Sequence, residues 1–290
     1  MTTTAGTSGR PSSGPRRSSR SSTSIVGRPT STDRVRQVVV TLSEVFCVLG
    51  TLVGVGVLGT RVADTSGGAL SAQATLTAPA GPAFSIWSVI YLGLGAYTVW
   101  QWLPAHTASE RSRATGWLAA VSMVLNAGWL LVTQQGWIWV SVVVIVALVL
   151  TLGVLVQRLT SLGSTSVVER VVVDGTFGLY LGWVTVATCA NVTAALVSSK
   201  VDPGRSIGEV LAMVVLAVAA AVGVVLAVRL GGRWTVAAAM AWGLAWIGAG
   251  RLGATELHST PTAVAALVAA VVVLAAAARA HRSAVTFRAA

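Results

Sequence analysis

The sequence predicts an all-α, polytopic membrane bundle of about eight transmembrane helices. Charged residues make up only 10% of the 290 residues and hydrophobic ones 54%, whereas soluble domains carry about 25% charged residues. The chain also holds many apolar runs of roughly 20 residues, the length a helix needs to cross ~30 Å of hydrocarbon. These runs, such as VSVVVIVALVLTLGVLV after Trp139, are apolar on every side rather than alternating. A β-barrel, with its ~10-residue alternating stretches, is therefore excluded, and backbone satisfaction in lipid requires helices.

Residues 1–36 are Ser, Thr, Gly, Pro and Arg with almost nothing apolar, and are expected to form a disordered basic cytoplasmic tail. The predicted spans follow: helix 1 over 38–60, retained rather than cleaved as a signal peptide, helix 2 over 83–103, helix 3 over 115–134 and helix 4 over 137–157. Helix 5 covers 175–197, helix 6 covers 207–228, helix 7 covers 234–250 and helix 8 covers 261–279. Gln134-Gln135-Gly136 leaves only a tight turn between helices 3 and 4, which makes them antiparallel neighbours. The longest linker, Arg61 to Pro82, is long enough to fold over a pocket mouth.

With the N-terminus inside, the inner segments carry 16 of the 20 Lys and Arg residues. This predicts a multi-pass cell-membrane protein with both termini cytoplasmic. The net charge of +11 is thus an orientation signal, and no nucleic-acid partner is expected; the lipid bilayer is. Cys47 and Cys189 both lie in apolar runs and read as small apolar residues, with no disulfide or metal site.

Gly54-Val-Gly56-Val-Leu-Gly59 matches a GxGxxG pattern, but the chemistry of dinucleotide binding needs a strand and a helix N-terminus. Here Gly50 and Gly54 read instead as a small-residue packing face, as do Gly178 and Gly182 on helix 5.

The eleven tryptophans separate by position. Trp100, Trp102, Trp117, Trp137, Trp139 and Trp234 lie near helix ends and read as interfacial. The deeper ones form stripes. Phe84, Trp87 and Tyr91 share one face of helix 2, Asn126 and Trp129 one face of helix 3, and Tyr180, Trp183, Ala187 and Asn191 one face of helix 5. An amide in hydrocarbon needs a partner. It can act as interhelical glue or orient a flat ligand in an aromatic pocket, and the residues leave both readings open. Trp242 and Trp246 stand one turn apart on helix 7, either packing on the bundle or forming a second aromatic face.

PAFSIWSVIYLGLGAYTVW (82–100), LNAGWLL (125–131) and LYLGWVTVATCAN (179–191) resemble, in order, motifs of the second, third and fifth helices of the TspO/MBR family of tryptophan-rich sensory or translocator proteins. The resemblance spans roughly residues 38–200. Leu179 stands where the family motif has Pro, Ser85 and Ile86 where many members have Gly-Pro, and Cys189 where the family has an aromatic or aliphatic residue.

The resemblance implies a five-helix membrane domain over 37–200, followed by a three-helix extension over 201–290 with a short basic cytoplasmic tail. It implies binding of a flat apolar ligand, a tetrapyrrole such as porphyrin or haem, or a sterol-like molecule. The ligand-binding set is Phe84, Trp87, Tyr91, Asn126, Trp129, Tyr180, Trp183, Ala187 and Asn191. Linker 61–82 corresponds to the family loop over the pocket, and a homodimer is one option. No cofactor beyond such a ligand is required, and no catalytic or metal residues are expected. His106, His258 and His281 are too scattered to act as haem ligands.

Three acids complete the reading. Glu44, some two turns into helix 1, is either an intramembrane functional carboxylate or, as expected here, a partner of Arg34 or Arg36. Asp174 reads as an N-terminal cap of helix 5 and Glu209 as a first-turn acid of helix 6. Besides ligand binding, two other functions are open. One is a secondary transporter using Glu44, although its repeated halves are not visible. The other is weak porphyrin degradation, for which no acid–base machinery is apparent; a non-enzymatic role is expected.

Overall fold

The computed structural model describes residues 1–2, 28–54, 56–58, 60–199, 204–253 and 257–289. Eight long helices run in chain order: α1 Ser31–Gly54, α2 Ile86–Trp100, α3 Glu110–Gln134, α4 Ile138–Leu162, α5 Thr176–Ser198, α6 Arg205–Arg229, α7 Trp234–Leu252 and α8 Thr260–Ala289. No strand occurs among the described residues. Among the described residues, seven helical segments are long and apolar enough to cross a membrane. The exception is α7, which has 19 residues, about 28 Å at 1.5 Å per residue. Its glycines, tryptophans and Arg251 lower its mean hydropathy, and its flanks are covered by α5 and α8.

The helix starts depart from the sequence reading. α1 begins at Ser31, so residues 31–36 are not tail: Thr30 and Asp33 cap each other, Thr30 N donating to Asp33 Oδ2 at 3.0 Å and Asp33 N to Thr30 Oγ1 at 3.3 Å. This reciprocal pairing satisfies two otherwise orphaned donors. Residues 3–27 of the expected tail lie outside the described residues. Helix 5 is entered earlier than expected, through a turn at Val167–Glu169 and a π-helical segment at Arg170–Gly175. Its first cap is Ser166, whose hydroxyl accepts from Glu169 N at 3.1 Å. Helix 2 is preceded by a 3-10 turn at Gly81–Ser85.

Two groups of helices emerge from the contacts. α1, α3, α4, α5 and α2 close a ring in that order, each packing on the next and α2 returning to α1. α6, α8 and α7 form a second group with α8 in the middle, joined to the ring by α7 on α5. The turn at Gly136, with φ +72°, makes α3 and α4 adjacent and antiparallel.

Small residues make the seams. A Cβ on Gly50 would meet Ala127, and one on Gly54 would meet Leu130. The α1 glycines therefore let α1 approach α3, the packing role read from their spacing. On α5, a Cβ on Gly178 would meet Thr235 and one on Gly182 the Val236 carbonyl. The second small-residue face is thus the joint between the two groups.

The helices alternate in direction. The starts of α1, α3, α5 and α7 meet in one charged layer. There Asp33 is bound by Arg36 at 2.8 Å and Arg113 at 2.6 Å. Asp174 is bound by Arg111 at 2.6 Å and Arg233 at 3.1 Å, and Glu169 Oε1 lies 3.2 Å from Arg111 Nε. Asp174 is thus a buried ion-pair hub and not the helix cap expected from sequence. The opposite end carries the 61–80 loop, the start of α6 and the end of α7.

Candidate functional site

The two predicted aromatic stripes interlock between α2 and α5. Trp87 stacks on Tyr91 with centroids 5.2 Å apart and planes 15° from parallel. Its ring meets Tyr180 at 5.8 Å and Trp183 at 6.3 Å, both edge-on. Phe84 meets Trp183 edge-on at 5.6 Å. Edge-on and offset pairs are the arrangements the ring quadrupole favours, worth about 0.5–1.5 kcal/mol each beyond burial. Tyr97 and Phe177, at 4.9 Å, extend this seam toward the charged layer.

Trp183 is 1% exposed, while Phe84, at 40%, opens the cluster toward the loop end. The indole Nε1 of Trp183 has no hydrogen-bond partner. A buried donor without a partner carries a desolvation cost of about 1–3 kcal/mol, so this N–H is a ready donor for an acceptor on a bound molecule. Ala187 is half-buried against the same core, one turn beyond Trp183.

The two amides are held by the protein. Asn126 Nδ2 donates to Tyr91 Oη at 3.1 Å and to Cys47 Sγ at 3.3 Å, tying α3 to α2 and α1. Asn191 Oδ1 accepts from Trp129 Nε1 at 3.0 Å, and its Nδ2 donates to Ser141 Oγ at 3.0 Å, tying α5 to α3 and α4. Tyr180 Oη donates to the Ser122 carbonyl at 3.2 Å. The interhelical role therefore accounts for both amides, and Trp129 stands in that clasp, hydrogen-bonded away from the ring cluster. Such bonds average about 0.6 kcal/mol in membranes, so their effect is to fix register more than to supply stability.

Glu44 does not pair with either expected arginine. Arg36 is taken by Asp33, and Arg34 donates to Gln37 at 3.2 Å and lies over the Trp102 ring. Glu44 is 7% exposed, its Oε2 has no partner, and it lies close enough to Cys47, Tyr91 and Tyr180 to interact with them electrostatically. It therefore faces the inner side of the ring.

Several contributors lie outside the ligand-binding set read from the sequence, and Trp242 and Trp246 take the packing role that the sequence left open. Cys47 and Ser141 complete the amide clasps. Trp242 Nε1 donates to the Ala83 carbonyl at 2.9 Å, and Trp246 meets Trp242 edge-on at 5.7 Å. Ala80 N donates to the Trp246 carbonyl at 3.2 Å, and Arg251 donates to the Thr75 and Ala72 carbonyls. α7 thus holds the 72–83 segment at the start of α2. The only sequence signals were a hydroxyl in an apolar run for Ser141 and a cation ending an apolar helix for Arg251. The tryptophans near helix ends are largely exposed, Trp102, Trp117, Trp137, Trp139 and Trp234 among them, while Trp100 stacks on His106 at 3.9 Å.

A family model described as TSPO-like protein matches residues 40–279. The chain belongs to the TSPO-like family. The match runs from α1 into α8, so the family's likeness includes the three helices that the motif resemblance left outside. No curated protein and no solved structure matches the chain. As a TSPO-like protein with seven membrane-competent helical segments, it is a multi-pass membrane protein in contact with the lipid bilayer. Among the described residues no group of three His, Cys, Asp or Glu side chains could hold a metal ion.

Proposed function

We propose that this TSPO-like protein binds a flat apolar ligand, a tetrapyrrole or a sterol-like molecule, against the Phe84, Trp87, Tyr91, Tyr180 and Trp183 rings. The observation that carries the reading is the buried, unpartnered Trp183 Nε1 within an aromatic wall that opens at Phe84. Aromatic walls with a few placed polar groups suit such ligands. The 72–83 segment, held by α7, would cover the bound molecule. The reading is of binding without turnover, in a cell membrane with both termini cytoplasmic, as the distribution of arginines supports.

Titration of the purified protein with protoporphyrin, followed by tryptophan fluorescence, is expected to give saturable quenching that weakens in a Trp87→Phe, Trp183→Phe double variant. No saturable quenching, or quenching unchanged in that variant, would overturn the reading.

The buried, unpaired carboxyl of Glu44 supports a second reading, proton-coupled transport of a small molecule. Proton-driven uptake into vesicles, lost in Glu44→Gln, would favour it; uptake indifferent to that change would remove it.

A further inference from the structure

Arg251 ends α7 in a position unlike that of the other buried arginines. Its residue is 3% exposed. Nη1 donates to the Thr75 carbonyl at 3.1 Å and Nη2 to the Ala72 carbonyl at 3.0 Å, both neutral acceptors. Nε has no hydrogen-bond partner. Among the described residues no carboxylate pairs with it: Asp33, Glu169 and Asp174 are engaged in the charged layer at the other end, and Glu209 lies 3.8 Å from Arg205. A buried cation lacking a counter-charge is strongly disfavoured unless something balances it.

The side chain lines a cavity of about 370 Å³. Its other walls come from the loop, Ala72, Gln73, Ala80 and Gly81, and from Gly250 and Leu257. Among the described residues of that lining, Gln73 is the one other polar side chain and none is an acid. The Arg251 backbone is held by Ser259 N, which donates to its carbonyl at 3.0 Å, so the guanidinium is presented from a fixed helix end.

The loop wall of the cavity leads along the chain to the aromatic cluster. Its Ala80–Gly81 wall runs into the 3-10 turn that carries Phe84, and that turn is fastened to α7 by Trp246 and Trp242. Along α7, Arg251 lies nine residues beyond Trp242, roughly 13.5 Å at 1.5 Å per residue.

We propose that this cavity is an anion site, in which Arg251 takes the carboxylate of an apolar, carboxylate-bearing ligand whose flat body lies toward the Phe84–Trp183 rings. The guanidinium supplies planar, charge-assisted donors suited to a carboxylate. The bound acid supplies the counter-charge that the described residues do not. The inference rests on the ligand-binding reading and adds to it a chemical selectivity: an acid over its neutral ester.

The test uses protoporphyrin, a diacid, and its dimethyl ester, titrated into the detergent-purified full chain with tryptophan fluorescence as readout. The wild type is expected to bind the diacid at least tenfold more tightly than the ester. Arg251→Gln is expected to bind the two alike, through loss of affinity for the diacid alone, and Arg251→Lys to keep part of the preference. Trp183→Phe is expected to weaken both probes in parallel. If Arg251→Gln weakens diacid and ester equally, the arginine is only a clamp on the loop and the anion site is overturned while ligand binding stands. A wild type that binds both probes alike overturns it equally. If the wild type binds neither, the ligand reading falls and the anion site with it.

Discussion

Arg111 and Arg251 are both buried arginines at helix ends, 6% and 3% exposed, yet they sit in opposite electrostatic settings. Arg111 lies in the charged layer with Asp174 at 2.6 Å and Glu169 at 3.2 Å, and Arg233 shares the same Asp174 at 3.1 Å. Among the described residues Arg251 has only two loop carbonyls. One end of the bundle balances its charge inside the chain and locks four helix starts together. The other leaves Arg251 without a carboxylate among the described residues, and deeper in the bundle the Trp183 indole N–H also lacks a partner. The difference teaches that the charged layer is a structural closure, whereas the loop-covered end is where a bound molecule has something to gain.

The contrast should break most visibly at Asp174. Asp174→Asn leaves Arg111 and Arg233 facing a neutral amide in a buried layer, and removing one partner of a buried ion pair costs about 3–5 kcal/mol. Thermal unfolding in detergent should show a large loss of stability. Arg251→Gln removes a charge that no carboxylate among the described residues balances, and its cost should stay at about 1 kcal/mol. Equal losses at the two ends would end the comparison.

A smaller effect is expected at the joint between the two helix groups. Gly182→Val places a branched side chain against the Val236 carbonyl and Ala239, and overpacking of this kind costs about 1–3 kcal/mol. Because α7 carries Arg251, Trp246 and Trp242, the same variant should loosen the 72–83 segment, read as faster proteolytic cleavage there. Cleavage unchanged from wild type would show that the loop is held independently of the α5–α7 seam.

The smallest effect concerns His106, in the short Pro104–Thr107 turn beside the charged layer. Burial lowers its pKa from the ordinary 6.5, with Glu169 opposing the shift. The folded state therefore favours the neutral ring and binds fewer protons than the unfolded chain, so stability falls as pH drops below 6.5 toward the folded value. His106→Phe, which keeps an aromatic ring against Trp100, should flatten that part of the pH profile of the melting temperature; an unchanged profile would assign the acid sensitivity to other groups.

Much of the aromatic site was legible because its signals are local. Phe84, Trp87 and Tyr91 repeat at helical spacing, as do Tyr180 and Trp183, and a helix puts such residues on one face whatever surrounds it. The partners were not legible in this way. Whether Asn126 and Asn191 orient a ligand or clasp helices depends on Cys47, Tyr91, Trp129 and Ser141, which come from other helices. Asp174 looked like a cap because it precedes an apolar run, but the π-helical lead-in moves the true start back to Ser166. Glu44 was assigned to arginines a few turns away, and Asp33 had already claimed Arg36.

The sequence by itself determined that this chain is a helical membrane bundle. It also determined which faces of α2 and α5 carry rings, and that the glycines of α1 and α5 are packing surfaces. Those properties follow from hydropathy and period along a single helix. Only the tertiary structure decided that α7, from the second helix group, packs on α5 and holds the loop, that the amides are satisfied within the chain, and that Arg251 is buried without a carboxylate among the described residues. Each of these depends on which helix faces which, set by close approach at residues such as Gly182, and one helix's own sequence does not contain that information.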